Sequence, residues 1–82
     1  MTDPLYDLLL RVARRVLGED WDLARISPEK TFDELGIDSL FLTEIAYGML
    51  KELDLYVPMA RLVEARTVSG LLELLREETA GG

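Results

Sequence analysis

Eighty-two residues make one small domain, about half the usual prior of roughly 150 residues, with a core that is possible but thin. At 49% hydrophobic and 30% charged the chain is globular rather than disordered, and the lack of any cysteine or histidine excludes disulfides, thiolate catalysis, cysteine zinc sites and Ser-His chemistry. Nine basic residues against sixteen acidic ones give a net charge of −7, which argues against nucleic acid, whose phosphates need a basic face.

Asp3 suits an N-cap, Pro4 a first helical position and Gly18 a stop, so a helix is expected between them. Leu5, Leu8, Leu9, Val12, Ala13 and Val16 form its apolar stripe, with Arg11, Arg14 and Arg15 mainly off it. Residues 18–38 show no sustained period. Trp21, Leu23, Ile26, Phe32, Leu35 and Ile37 punctuate that stretch, as in a chain pinned across a core rather than a floppy linker. Thr31 to Glu34 reads as a capping box with one helical turn near residues 32–35.

A second helix is expected from about Ser39 to Leu53, capped by Asp38, with Leu42, Ile45, Ala46, Met49, Leu50 and Leu53 inward. Leu40, Phe41, Glu44, Tyr47, Gly48 and Lys51 are left on its outer or flanking faces. Residues 59–65 can form a short helix. Thr67 can cap a last one through about Glu78, with Val68, Leu71, Leu72 and Leu75 inward and residues 79–82 as a flexible tail. Gly70 weakens its first turn by roughly 1 kcal/mol, which a loose or a closely packed turn would both accommodate. No strand pattern survives. The expected fold is an all-α, small helical bundle: three main helices plus a short fourth, with a long loop between the first two.

Charge is unevenly placed. Residues 18–54 hold ten acids against Arg25, Lys30 and Lys51, so the whole net charge lies there. Such a face steers basic partners, although ordinary solvation explains it as well. No apolar run approaches the roughly 20 residues that span a bilayer, and Met1 to Pro4 lacks the basic start of a signal peptide. A cytoplasmic protein is expected, without a membrane partner. Asp20-Trp21-Asp22 hints at calcium, but the other ligands of a calcium loop are absent.

Ser39 stands out on its own chemistry. A serine at a helix start is usually a cap, yet Gly36 and Asp38 already supply the turn and the cap. That leaves Ser39 at the first helical position, where a helix N-terminus favours an attached phosphate. With no histidine to take its proton it cannot activate itself. It is better read as the substrate of another enzyme.

The run Ile26-Ser27-Pro28, then Thr31-Phe32-Asp33-Glu34-Leu35-Gly36-Ile37-Asp38-Ser39-Leu40, resembles the signature of the acyl carrier protein family. Leu53-Asp54-Leu55-Tyr56-Val57-Pro58 resembles that family's loop after its second helix, and Ala65-Arg66-Thr67-Val68 the start of its last. The likeness runs from the first helix to about Arg76. It implies that Ser39, flanked by Asp38 and Leu40, accepts a 4′-phosphopantetheine arm from coenzyme A through a separate magnesium-dependent phosphopantetheinyl transferase. The arm's thiol then holds acyl groups as thioesters, and the carrier needs no catalytic residues of its own.

The resemblance also places partner contacts on the second helix, at Leu40, Phe41, Glu44 and Tyr47, for acyl-loading, condensing or acyltransferase enzymes. Core packing of Leu40 at the stripe edge is the competing reading, and Phe41 can equally pack on the loop. Lys51, Arg61 and Arg66 depart from the family's most acidic members. That favours polyketide-type specialised biosynthesis over fatty acid synthesis. Gly36-Ile37-Asp38-Ser39 differs from the Gly-Gly-x-Ser form common in peptidyl carriers, which favours an acyl over an aminoacyl cargo. A monomeric, free-standing carrier is expected, since the chain starts at Met1 and adds nothing beyond the domain. Two other readings stay open: an unmodified acidic helical interaction module, and a protein modifier ending in Gly81-Gly82, which would require a mixed sheet-and-helix fold.

Overall fold

In the computed structural model, which describes residues 3–81, the first helix (α1, Pro4–Leu17) starts where Asp3 can cap it. The Asp3 Oδ1 accepts the Leu5 amide at 3.0 Å, and Pro4 needs no partner for an amide it lacks. Gly18 ends the helix at φ 91°, a conformation that only glycine adopts without strain. Leu8, Leu9, Val12 and Ala13 are buried, while Arg11, Arg14 and Arg15 are exposed.

The second helix (α2, Ser39–Leu53) follows its expected bounds, with Leu42, Ile45, Ala46, Met49 and Leu50 buried. The Asp38 carboxylate accepts the Phe41 amide at 3.0 Å. Asp54 closes the helix in the left-handed region at φ 54°, a place more often taken by glycine or asparagine. Val12 lies against Gly48, and Arg15 reaches Glu52 at 3.8 Å. Both contacts belong to the packing of α1 on α2. The stretch 18–38 joins the two helices by a path across the core.

Its apolar residues are what hold it there. Ile26, Phe32, Leu35 and Ile37 are buried, and Trp21 and Leu23 pack partly against the core. The Tyr6 hydroxyl donates to the Ile26 carbonyl at 3.1 Å, a link no apolar stripe announces. The Thr31 amide and hydroxyl donate to Glu34 Oε1, and the Glu34 amide returns a bond to Thr31 Oγ1 at 3.0 Å. The Thr31 amide, followed by its hydroxyl, holds the Glu34 carboxyl below the usual carboxylate range. Residues 32–35 form a single hydrogen-bonded turn, with the Leu35 amide on the Thr31 and Phe32 carbonyls at 3.3 and 3.1 Å, that does not continue into a helix; Ile37 folds back to bond the Phe32 carbonyl at 2.9 Å. Leu23–Arg25 forms a 3₁₀ turn capped by Asp22, which aperiodic spacing did not reveal.

The short helix (α3, Met59–Leu62) covers only the first part of the 59–65 segment. The last helix (α4, Val68–Gly81) runs past Glu78, with Val68, Leu71, Leu72 and Leu75 buried; Gly82 lies outside the described residues. Thr67 Oγ1 accepts the Gly70 amide at 3.0 Å. A Cβ at Gly70 would stand 3.2 Å from that same oxygen, so the turn is closely packed rather than loose. Ion pairs Arg61–Glu78 and Arg76–Asp3 tie α4 to α3 and to the start of α1. Among the described residues there is no strand, only one antiparallel bridge between Thr31 and Thr67. The architecture is the all-helical bundle of three main helices and a short fourth.

Gly48 sits at the α1–α2 contact rather than on an outer face. A Cβ there would stand 2.6 Å from Val12 Cγ1, and Val12 is buried and stiff at χ1. Gly48→Ala therefore gains about 1 kcal/mol of helix propensity but incurs roughly 1–3 kcal/mol of overpacking. Urea unfolding is expected to show a net loss of up to about 2 kcal/mol, most of it recovered when Val12→Ala is added. A single variant more stable than the parent would contradict this close approach.

Candidate functional site

Ser39 is the first residue of α2 and is exposed. Its hydroxyl makes no hydrogen bond to another described residue, and neither its amide nor that of Leu40 donates to one. Asp38 does the capping instead, through its carboxylate on Phe41 and its carbonyl on Leu42. The Thr43 hydroxyl donates to the Ser39 carbonyl at 2.7 Å, and its oxygen lies 3.7 Å from the Met59 sulfur. Ser39 is thus held by its backbone while its side chain stays free.

The serine opens onto a groove of about 400 Å³ between the loop, α2 and the segment after α3. Buried Phe32, Ile37 and Leu42 line it, Val63 and Arg66 stand opposite, and Asp33 lies on its rim. The far wall is fastened to the loop by backbone bonds: Phe32 N–H to the Arg66 carbonyl at 3.0 Å, Val68 N–H to Lys30 at 3.1 Å and Ser69 N–H to Pro28 at 3.0 Å. A slightly larger groove of about 430 Å³, between α1 and α4, does not include Ser39. Among the described residues no three side chains are grouped to hold a metal, and Asp22 is engaged as a cap.

Leu40, Phe41, Glu44 and Tyr47 are all exposed on α2, Leu40 at 64%. The core-packing reading of Leu40 is thereby set aside. The apolar face extends further than α2, through Tyr56, Met59 and Val63. Tyr56 and Met59, with Tyr47 and Lys51, border a third groove of about 380 Å³. These residues flank Pro58 outside any long helical period, so spacing could not have singled them out. The placement of Arg66 beside Ser39 depends on the Phe32 bond across 34 positions of chain, which no local pattern encodes.

The family model described as "Phosphopantetheine attachment site" matches residues 7–75. The chain belongs to this family. It is a carrier domain of the phosphopantetheine attachment family, of a kind that tethers rather than catalyses, and the group such domains carry is 4′-phosphopantetheine. The hybrid PKS-NRPS synthetase buaA of Petromyces alliaceus is 37% identical over 65 residues, covering 79% of this chain and 2% of the relative. The polyketide synthase-nonribosomal peptide synthetase pyiS of Pyricularia grisea is 39% identical over 49 residues, covering 60% of this chain and 1% of the relative. The chain thus spans only a small fraction of these relatives' lengths. No solved structure matches it. The donor set around α2's start fits a phosphate-bearing group: a free hydroxyl and a guanidinium on one open groove, with two unengaged amides in the first turn of the helix.

Proposed function

We propose that Ser39 carries the 4′-phosphopantetheine arm and that the chain is an acyl carrier of polyketide-type biosynthesis. The observation that supports the first part is an exposed, uncommitted hydroxyl at the start of a fifteen-residue helix whose cap is supplied by another residue. Asp38 orients the first turn, and the unengaged Ser39 and Leu40 amides lie at the positive end of α2, which favours an attached phosphodiester. The arm's terminal thiol holds the cargo as a thioester. With no histidine in the chain to take its proton, Ser39 depends on a phosphopantetheinyl transferase to remove it. Leu40, Phe41, Glu44 and Tyr47 offer that enzyme, and the loading and condensing or acyltransferase enzymes after it, one apolar and acidic face. Ile37 in place of the second glycine of a Gly-Gly-x-Ser form supports an acyl rather than a peptidyl cargo. The names of the two relatives speak for polyketide synthesis but include nonribosomal peptide synthesis as well.

The protein is incubated with coenzyme A, magnesium and a permissive phosphopantetheinyl transferase, and its intact mass is read. The wild type is expected to gain the mass of one arm, and Ser39→Ala none, with an unchanged helical spectrum. An unmodified wild type, or an equal gain on the alanine variant, would overturn the assignment and leave the interaction-module reading. The modifier reading is already disfavoured by the all-helical fold of the described residues.

A further inference from the structure

We infer that Arg66 binds the phosphodiester of the arm and draws the start of the arm toward the α3 side of the groove. The inference rests on the assignment of the arm to Ser39. Arg66 lies in the link between α3 and α4, a place with no helical hydrogen bonds of its own to fix it. It is fixed instead by the loop that leads to Ser39. Its carbonyl accepts the Phe32 amide at 3.0 Å, and the neighbouring Thr31–Thr67 bridge and the Val68-to-Lys30 bond hold the segment on both sides. Its backbone therefore cannot drift away from the groove while the loop stays packed.

The side chain is exposed and lines the same groove as Ser39. Among the described residues, Arg15, Arg61 and Arg76 each meet a carboxylate, and Arg66 meets none. Nor does its guanidinium donate a hydrogen bond to any described residue. It is the one cation on a groove whose other charged wall residue is Asp33, with Asp38 adjoining Ser39 in sequence.

A phosphodiester on Ser39 would bring a further negative charge beside those two carboxylates. The positive end of α2 offsets part of that, and falls off within the first turn. Arg66 supplies the rest, with a planar fork of donors suited to phosphate oxygens. Val63 shares its wall, so a phosphate held by Arg66 starts the arm along the apolar floor of Phe32, Ile37 and Leu42 rather than into solvent.

The test compares apo and arm-loaded protein, with loading measured first by intact mass. In ¹⁵N-labelled wild type the Arg66 side-chain resonance is expected to move on loading, and its proton exchange to slow by up to about fivefold, as an exposed ion pair allows. The ³¹P resonance of loaded Arg66→Gln is expected to differ from wild type and to lose its salt dependence. Arg66→Lys keeps the charge and restores most of both. Backbone amides away from the groove remain in place in all three, which separates this role from a structural one. A complete mass gain with an unresponsive Arg66, or an identical ³¹P signal in the glutamine variant, overturns this inference alone. Absence of any mass gain overturns the Ser39 assignment together with it.

Discussion

Replacing Phe32 by alanine is expected to lower the free energy of unfolding by about 3–5 kcal/mol, a large share of the roughly 5–15 kcal/mol that small domains possess. Phe32 is 4% exposed although it lies in a stretch without regular helix. It lies beneath the Ser39 groove, and its amide holds Arg66. Were residues 18–38 a loose linker, the same truncation would cost no more than about 0.5 kcal/mol. Phe32→Leu removes fewer atoms and is expected to cost about 1–2 kcal/mol, so it remains measurable if the alanine variant does not fold. Urea unfolding followed by circular dichroism decides the matter. A loss below about 1 kcal/mol for the alanine variant would mean that the loop is not pinned.

The second large effect concerns recognition rather than stability. Leu40→Glu is expected to leave the unfolding free energy within about 0.5 kcal/mol of the parent, since the side chain is 64% exposed and absent from the core. Used as the substrate of a phosphopantetheinyl transferase, the variant is expected to show kcat/KM lower by about 30-fold, the factor for an apolar anchor worth ~2 kcal/mol. Lys51→Ala, some three turns further along α2, serves as the comparison and is expected to change turnover by less than about threefold. Equal turnover of the parent and Leu40→Glu would remove Leu40 from the interface.

What the sequence made legible follows from how local each cause is. Asp3, Asp38 and Thr67 act on amides two or three residues away, so the starts of α1, α2 and α4 could be read directly. The apolar stripes of α1 and α2 likewise encode their buried faces. The pinning of residues 18–38 was visible in Ile26, Phe32, Leu35 and Ile37, because aperiodic apolar residues still have to leave water. Their path was not visible, since it is set by Tyr6 and by the segment 66–69 across long separations. Gly48 looked like an outer-face residue because a missing side chain carries no periodic signal, and only the nearness of Val12 gives it a purpose. At the site, Ser39 was legible from chemistry and local turns. The opposing wall with Arg66 was not, because packing alone brings it there.

The backbone bonds that fasten residues 66–69 to residues 28–32 also order events during synthesis. A nascent polypeptide interrupted before Arg66 would already contain the serine, its cap and its helix, but lack the opposite bank of the cleft. The surface around Ser39 is therefore finished only once residues 63–69, made well after the serine itself, are in place. Decoration that depends on that complete surface would discriminate between chains that include this segment and chains that stop short of it, with no separate checkpoint required.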